Sequence, residues 1–395
     1  MLYPLEDIKV VDLSRVLAGP YCTMLLGDLG ADIIKIEPPG GDESRKYGPP
    51  FIGGESYYFM SLNRNKKSIV LDLKSRDGVE VLERLVKKAD VVVENFRPGV
   101  TKKLGIDYLM LKKLNSSLIY CSITGFGQTG PYAQRPGYDI VAYAMGGMMS
   151  ITGEPDQPPV KPGVPVADIG SGMFAVNGIL AALLARKNTG KGQSIDVALL
   201  DGQVSWLTFQ AGNYFGTGVN PSKMGSAHPT ISPYQAFKAE DSYFILAVGN
   251  DGHWKNFCKA VGQKDLMYRS EFSTNPLRVE NRELLVDLLE SLFVTKPAAY
   301  WLSLLRRAGV PCGNINNVEN SLSDSQVIHR GMVQEMLHPR AGKIKVLGVP
   351  FKLSSTPGEI RSPPPILGEH TDQILKNMGY GIDKISQLRM KGAVA

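Results

Sequence analysis

The stretch "IKVVDLSRVLAGPYCTMLLGDLGADIIKIE", residues 8–37, decides the fold. "IKVVDLS" is typical of a buried strand, "YCTMLLGDLG" of a helix and "ADIIKIE" of a second strand. Pro20 stands where the first helical residue would be, and Gly30 stands where the helix would stop. The order strand, helix, strand predicts a βαβ unit, whose two strands are parallel and joined by a right-handed crossover.

The same alternation continues towards residue 200. "KKSIVLDL", "DVVVENF" and "LIYCSITGFG" are typical of strands, while "RDGVEVLERLVKKA" and "YLMLKKLN" are typical of helices. We therefore predict an α/β fold with a doubly wound, Rossmann-like large domain over residues 1–215. A loop rich in Pro, Gly and Ser follows, and then strand and helix patterns that predict a smaller α+β domain over residues 220–325. Residues 326–395 are predicted to be a linker and a C-terminal segment that returns to the large domain.

Composition excludes several classes of protein. The chain has 395 residues, of which 43% are hydrophobic and 21% charged, with a net charge of +6, which is ordinary for a globular protein and too weakly basic to indicate nucleic acid. The sequence has no run of 18 consecutive apolar residues, so we expect no membrane-spanning helix. The four cysteines contain no C-x-x-C pair and the five histidines have no metal-binding spacing, so we expect no disulfide framework and no metal. A strand pattern begins almost at residue 1, so no targeting segment is expected.

Two glycine-containing stretches lie at the ends of predicted strands. "GFGQTG", residues 125–130, matches G-x-G-x-x-G, but Pro131 and a loop pattern follow where a dinucleotide site needs a helix. "VENFRPG", residues 93–99, places an Asn, a Phe and an Arg at a strand end, where α/β sheets bind ligands. The basic residues of the first half are consistent with either a solvated surface or a site for a polyanionic ligand such as a nucleotide phosphate.

Asp168 lies at the start of "DIGSGMFAVNGILAALLAR", residues 168–186, and has two interpretations. As a helix N-cap it would stabilise the helix by about 1 kcal/mol. As a nucleophile it would need neighbouring backbone donors, which Gly170, Ser171 and Gly172 could supply to an oxyanion. The two glycines each cost about 1 kcal/mol in a helix, so we expect them to allow a ligand to approach closely, and Ser171 could then be the cap instead. The local pattern leaves both interpretations open.

Eight stretches together resemble one family, the class III CoA-transferases. They are "VVDLSRVLAGPYCTMLLGDLGADIIKIEPPGGD", "NRNKKSIVLDLKS", "VVVENFRPGV", "GFGQTGPYAQRPGYDIVAYAMGG", "PVADIGSGMFAVNGILAAL", "GKGQSIDVALLD", "GVPCGNI" and "LGEHTDQIL". They occur in the family's order over nearly the whole chain. The resemblance implies transfer of CoA from an acyl-CoA such as succinyl-CoA to a free dicarboxylic acid such as glutarate or hydroxymethylglutarate, with no permanently bound cofactor. It also implies a homodimer of interlocked, ring-shaped chains and a mitochondrial matrix location, with no nucleic-acid or membrane partner.

The resemblance also implies roles for individual residues. Asp168 falls on the nucleophile, and Asp139 on a residue that holds its surroundings. The positions that fall on the family's CoA-binding motifs are Arg15, Val16, Leu17, Ala18, Leu71, Asp72, Leu73, Lys74, Asn95, Phe96, Arg97, Lys103, Tyr138 and Asp139. For the remote carboxylate of a dicarboxylic substrate, charge and loop context suggest Arg45, Lys46 or Arg64, with CoA phosphate contact or solvated surface as the alternatives.

Three departures from related enzymes bear on these expectations. Pro38 stands where formyl-CoA transferases carry an arginine, and Arg45 is expected to take over part of that role. The loop near "KMGSAHPTISPYQ" lacks the run of glycines that formyl-CoA transferases have over the active site. The alternative function on the same fold is an α-methylacyl-CoA racemase, which needs a histidine where this chain has Tyr138. A tyrosine with a pKa near 10 is a poor base at neutral pH, so the transferase is favoured.

Overall fold

The structure is a computed structural model that describes residues 2–395. The chain forms two compact units. The first contains the residues up to Met148, Pro162–Phe209 and Ser325–Ala395, and the second contains Met149–Lys161 and Gln210–Asp324. The large domain was predicted as one continuous stretch up to residue 215, whereas Met149–Lys161 groups with the second unit.

All five strands that the alternation of the sequence predicts before residue 125 are present. The bounds of the strands are β1 (Lys9–Asp12), β2 (Asp32–Glu37), β3 (Phe51–Ile52), β4 (Glu55–Ser56), β5 (Lys66–Val70), β6 (Val91–Glu94), β7 (Ile119–Thr124), β8 (Ser194–Ala198), β9 (Tyr234–Lys238), β10 (Tyr243–Ala247), β11 (Cys312–Asn314), β12 (Val333–His338) and β13 (Gly342–Leu347). The predicted α/β fold with a central parallel sheet is confirmed.

The helices between them have the following bounds: α1 (Ala18–Asp28), α2 (Tyr57–Met60), α3 (Arg76–Val86), α4 (Val100–Leu104), α5 (Tyr108–Leu114), α6 (Asp139–Met145), α7 (Val166–Thr189), α8 (Leu199–Ser205), α9 (Thr208–Thr217), α10 (Asp251–Ala260), α11 (Asn275–Glu280), α12 (Arg282–Phe293), α13 (Ala298–Arg307), α14 (Val318–Ser323), α15 (Ser325–His329), α16 (Thr371–Asn377) and α17 (Ile382–Met390). Helix α1 begins two residues before Pro20. Pro20 is therefore its third residue, still in the first turn, where no backbone N–H needs an intrahelical partner.

The first unit is built on a six-stranded parallel sheet in the order β5-β2-β1-β6-β7-β8. The chain adds β2 and β5 on one side of β1, then returns to add β6, β7 and β8 on the other. The direction of strand addition thus reverses between β1 and β6. The carboxyl ends of these two strands form the topological switch point, where doubly wound sheets bind their ligands.

Both faces of this sheet are covered. Val10 and Val91 pack on one face in a core that includes α1 and α7. Their strand neighbours Val11 and Val92 pack on the opposite face against α3, α5, α16 and α17. Because both faces are buried, the strands are apolar at consecutive positions, which explains why "KVVD" and "VVVE" do not alternate.

Helix α7 is long and apolar enough, by length and composition alone, to cross a membrane. Its buried residues, among them Ala175, Ile179 and Ala182, belong to the core of the first unit. The helix is therefore accounted for as a core helix that packs on a parallel sheet.

The second unit has an antiparallel sheet in the order β11-β10-β9. Its core is aromatic: the ring of Phe293 lies with its centroid 5.0 to 5.2 Å from those of Phe244, Phe237 and Trp301. Helices α10, α12 and α13 supply many of the other residues of this core. Pro297 lies between α12 and α13, immediately before the first residue of α13.

Candidate active site

A cavity of about 410 Å³ opens at the carboxyl ends of β1, β6 and β7 in the first unit, at the switch point of the sheet. Of the residues predicted to bind CoA or to react, the following line it: Arg15, Val16, Leu17, Ala18, Asn95, Phe96, Arg97, Tyr138 and Asp168. These residues come from four separate stretches of the sequence, and the fold brings them together.

The segments after β1 and β6 are joined by hydrogen bonds. Asn95 Oδ1 accepts from Arg15 N, and Asn95 Nδ2 donates to Arg15 O, each at 2.8 Å. The guanidinium of Arg15 lies 4.8 Å from the centroid of the Phe96 ring. Glu94 in turn accepts from Phe96 N at 2.7 Å. The cavity therefore has two adjacent walls, and the three arginines of its lining, Arg15, Arg97 and Arg135, provide positive charge for a polyanion.

Asp168 is half-buried in the first turn of α7. It is not the N-cap, because the helix begins at Val166, with Pro165 before it. The capping acceptor is Asp139, whose Oδ1 accepts from Ala167 N at 2.7 Å and from Asp168 N at 3.3 Å. Burial, and next the negative charge of Asp139, raise the pKa of Asp168 to about 7. The carboxyl group that faces the cavity is thus free of the capping role, and it ionises near neutral pH.

The glycines of "DIGSG" serve packing within the first unit. A Cβ on Gly170 would lie 2.4 Å from the Trp206 ring, and a Cβ on Gly172 would lie 2.7 Å from Ala18 O. The expectation that they open space for a ligand is therefore corrected, since protein atoms occupy that space.

The expected oxyanion donors and the alternative cap are corrected for a related reason. Gly170, Ser171 and Gly172 lie inside α7, where backbone N–H groups bond carbonyls four residues earlier. The first bond of this kind joins Ile169 N to Pro165 O at 3.1 Å. Their N–H groups are thus not available to a substrate, and Ser171 is a buried helix residue rather than a cap.

Tyr58 is a residue of this region that the sequence reasoning missed. Burial, and next the charge of Asp168, raise the pKa of Tyr58 to about 12. Its phenol therefore stays protonated and can donate a hydrogen bond. The stretch "GESYYFM" contains two adjacent tyrosines and no motif that would have distinguished them.

The glycines of "GFGQTG" also have a structural role. A Cβ on Gly125 would lie 2.6 Å from the Cα of Gly137, so the loop after β7 and the loop before α6 touch through their backbones. Gly127 N donates to Thr124 Oγ1 at 3.0 Å, which closes a turn. Residues 125–130 open no helix, because the next helix begins at Asp139.

The two arginines suggested for a substrate carboxylate already have carboxylate partners within the chain. Arg45 pairs with Glu37 through two contacts of 2.7 Å, and its guanidinium lies 3.6 Å from the centroid of the Phe59 ring. Arg64 is buried and pairs with Asp28 at 2.6 Å. Neither residue lines the cavity, and the suggestion gains no support from the geometry.

A second group of predicted CoA residues lies beyond the cavity lining. Leu71 is buried and bridges to Val394, and Asp72 N donates to Ala393 O at 3.0 Å. Leu73 is partly buried, whereas Lys74 and Lys103 are exposed. Within residues 2–395, no three His, Cys, Asp or Glu side chains are grouped to hold a metal ion.

Comparison with known proteins gives consistent matches. Residues 5–371 match the model of CoA-transferase family III. The chain is 45% identical to the succinyl-CoA:glutarate CoA-transferases of Mus musculus and Homo sapiens over 393 residues, which is 99% of this chain and 90% of each relative. It is 43% identical to the succinate–glutarate CoA-transferase of Agrobacterium fabrum over 95% of this chain and 96% of the relative. The crystal structure of a CAIB/BAIF family protein from Brucella suis superposes with a TM-score of 0.85 at 44% identity, covering 96% of this chain and all of that one.

Proposed function

The chain belongs to CoA-transferase family III, and from that premise we propose that it moves CoA from succinyl-CoA to a free dicarboxylic acid such as glutarate or hydroxymethylglutarate. One observation carries the proposal: Asp168 lines a cavity at the switch point of the sheet, opposite the basic segments after β1 and β6. The printed activities of the relatives from mouse, human and Agrobacterium support the choice of donor and acceptor.

The reaction needs no energy source, because each step exchanges one activated acyl group for another. The Asp168 carboxylate attacks the thioester carbonyl of succinyl-CoA, forming a mixed anhydride and releasing the CoA thiolate. The thiolate attacks the aspartyl carbonyl, which frees succinate and leaves an aspartyl–CoA thioester. Glutarate attacks that thioester and again releases the thiolate. The thiolate then attacks the glutaryl carbonyl, giving glutaryl-CoA and regenerating the Asp168 carboxylate.

The other residues of the site bind CoA or orient Asp168. Arg15 and Arg97 offer charge to the CoA phosphates, with Asn95 and Phe96 between them. Leu71–Lys74 and Lys103 are proposed to contact CoA outside the cavity. Asp139 fixes the start of α7, and through it the position of Asp168. The neutral hydroxyl of Tyr58, whose pKa responds to the charge of Asp168, is a donor for the negative charge that develops on the attacked carbonyl.

The covalent intermediate provides the test. Enzyme mixed with succinyl-CoA is treated with hydroxylamine, and the modified peptide is identified by mass spectrometry. We expect an aspartyl hydroxamate at residue 168, and loss of transfer by at least about a thousandfold in Asp168→Asn. An unmodified residue 168 together with full activity of Asp168→Ala would contradict the transferase. Exchange of the α-proton in deuterium oxide without transfer would indicate the racemase instead.

The assembly is proposed to be a homodimer of interlocked chains. Helices α6, α7 and α8 contact one another and carry exposed apolar side chains, which we call the α6–α8 face: Ile140, Met145, Met173, Phe174, Leu184 and Val204. Contiguous exposed apolar surface is typical of a protein interface. The mitochondrial location implied by the resemblance stays a prediction, since relatives of similar printed activity come from a bacterium as well as from mammals.

A further inference from the structure

The segment Ser14–Val16, which follows β1, has its backbone fixed by side chains from other parts of the first unit. Lys35 Nζ donates to Ser14 O at 2.9 Å. Asn95 bonds both backbone groups of Arg15. Val16 N donates to the two carboxylate oxygens of Asp42 at 3.2 and 3.3 Å. The conformation of this cavity wall is therefore imposed from outside the segment.

Val16 shows why such support is needed. Its φ is 65°, in the left-handed region, which is unfavourable for a β-branched residue by roughly 1–3 kcal/mol. A residue keeps such a conformation only where the surrounding contacts determine it. The Asp42 carboxylate makes that contact at the strained residue itself, and the same conformation sets how Val16 and Leu17 face the cavity.

Asp42 is a buried carboxylate whose partners keep it ionised. It is 1% exposed and does not line the cavity. Lys35 Nζ lies 2.8 Å from its Oδ2, and Ser44 N and Ser44 Oγ donate to its Oδ1 at 2.9 and 2.8 Å. Burial alone would raise its pKa, but Lys35 and Ser44 outweigh burial and hold the pKa at about 2. The acceptor for Val16 N is thus charged at every pH at which the enzyme works.

We propose that Asp42, with its partner Lys35, is a positioning residue that holds Val16 in the left-handed conformation and so shapes the Arg15–Ala18 wall for an acyl-CoA. This inference rests on the proposed function. Asp42 touches no substrate and acts through the backbone of Val16. Its loss is therefore expected to weaken acyl-CoA binding while the chemistry at Asp168 continues.

The first experiment removes the buried pair as a unit. The double variant Asp42→Ala/Lys35→Met leaves no lone buried charge, which a single substitution would create. Circular dichroism first establishes that the variant is folded. We then expect the KM for succinyl-CoA and the Kd for CoA, measured by calorimetry, to rise at least about tenfold. The kcat should change less than about threefold. A folded variant with unchanged KM and Kd would overturn the inference.

The second experiment tests the backbone of Val16 directly and does not disturb the buried charges. Glycine adopts a φ of 65° freely and retains the N–H, so any rise in KM and Kd from Val16→Gly reflects only the lost side chain and should be clearly smaller than the rise from a residue that cannot hold this conformation. Proline has no N–H and a φ near −65°, so Val16→Pro should raise both at least about tenfold. Equal effects of the two substitutions would show that the side chain matters rather than the held conformation, and would overturn the inference.

A matched control lies at the amino ends of the strands of the same sheet, opposite the carboxyl ends that face the cavity. Arg186 Nη2 and Asp90 Oδ1 form a half-buried ion pair of 2.8 Å next to the start of β6, away from the cavity lining. Asp90→Ala/Arg186→Met should lower stability without changing KM or Kd. Wild-type enzyme that binds CoA but transfers nothing would refute the proposed function alone, because the Kd comparison still decides the role of Asp42. Wild-type enzyme that does not bind CoA would refute both.

Discussion

At the scale of the residue, Asp168 is placed where ionisation is opposed. Burial and the neighbouring charge of Asp139 both favour the protonated carboxyl, and the pKa lies near 7. A nucleophile must be ionised, so the rate of the proposed attack by Asp168 should depend on this pKa. A carboxylate that is reluctant to carry charge is also poorly stabilised before reaction, which raises its nucleophilicity once it is ionised.

The first prediction concerns the pH dependence of the acylation step. The single-turnover rate with succinyl-CoA should rise with pH and level off above about pH 7, because only the Asp168 carboxylate attacks. Asp139→Asn retains an acceptor for Ala167 N and removes the charge, so the inflection should move to lower pH. An inflection unmoved by Asp139→Asn would contradict the electrostatic role of Asp139.

The second prediction concerns stability. The folded-state pKa of Asp168, about 7, lies above the value near 3.9 expected in the unfolded chain. Stability from this group is therefore complete below about pH 4 and is lost as the pH rises through 7. Asp168→Asn removes the loss, so the variant should exceed wild type by about 1 kcal/mol at pH 8, allowing for the half-exposed side chain. Thermal unfolding at pH 8 and pH 5 should show a difference that shrinks at the lower pH; an equal difference at both would contradict it.

The sequence predicted which residues meet at the cavity better than it predicted their geometry. Motif resemblance assigned Asp168, Asn95 and Arg15, and the fold brings all three to one cavity. It could not reveal that Asp139, 29 positions away, is the capping acceptor, because that contact depends on tertiary packing. Nor could it identify Tyr58 or Asp42, whose importance arises from what lies around them.

At the scale of the element, the first turns of α7 lie against the start of α1. The fit depends on Gly172, since a Cβ there would be 2.7 Å from Ala18 O and 3.1 Å from the Tyr21 ring. Ala18 lines the cavity and Asp168 lies one turn before Gly172. The distance between the Arg15–Ala18 wall and Asp168 is therefore set by the absence of one side chain.

The third prediction tests this contact. Gly172→Ala should destabilise the protein by about 1–3 kcal/mol through overpacking against backbone and lower kcat at least about tenfold through displacement of Asp168. A Cβ on Gly178, in the same helix, would lie 3.1 Å from Cγ2 of Ile195, a side chain that is only partly buried and can shift. The control, Gly178→Ala, should therefore be nearly neutral or slightly stabilising. Denaturant unfolding and steady-state kinetics measure both, and equal effects would contradict the proposed packing role.

Elements were predictable where the pattern is local. Every strand of the parallel sheet up to β7, and helices α1, α3 and α5, follow from apolar runs and amphipathic spacing. The start of α7 was not predictable. Two glycines in its first two turns are unfavourable in isolation, and only the neighbouring Trp206 and Ala18 explain them.

At the scale of the whole molecule, the chain leaves and re-enters its first unit. Met149–Lys161 belongs with Gln210–Asp324, although about fifty residues of the first unit separate them. Composition signals a boundary where the sequence becomes rich in Pro, Gly and Ser, as it does after residue 215. A short excursion such as Met149–Lys161 carries no comparable signal, because what assigns it is contact rather than composition.

The fourth prediction concerns the proposed homodimer. Wild type should elute with twice the chain mass of 43.0 kDa. Leu184, which is 65% exposed on the α6–α8 face, should tolerate charge in a monomer but not in an interface, so Leu184→Glu should weaken the dimer. Leu109 on α5, 62% exposed, is the matched control, and Leu109→Glu should leave the mass unchanged. Light scattering over a range of concentrations decides; an unaltered dimer in Leu184→Glu would exclude this face.

The bridge between Leu71 and Val394 has a consequence for biosynthesis. One core of the first unit joins β1, β5 and β6 to residues between Ile374 and Val394. During translation, α3 and α5 can cover part of that face early, but the part packed by residues 374–394 stays uncovered until they leave the ribosome, by which time the second unit has already emerged complete. The nascent chain therefore exposes apolar sheet surface for most of its synthesis. Exposed apolar surface of this kind makes a chain prone to aggregate and is what chaperones bind.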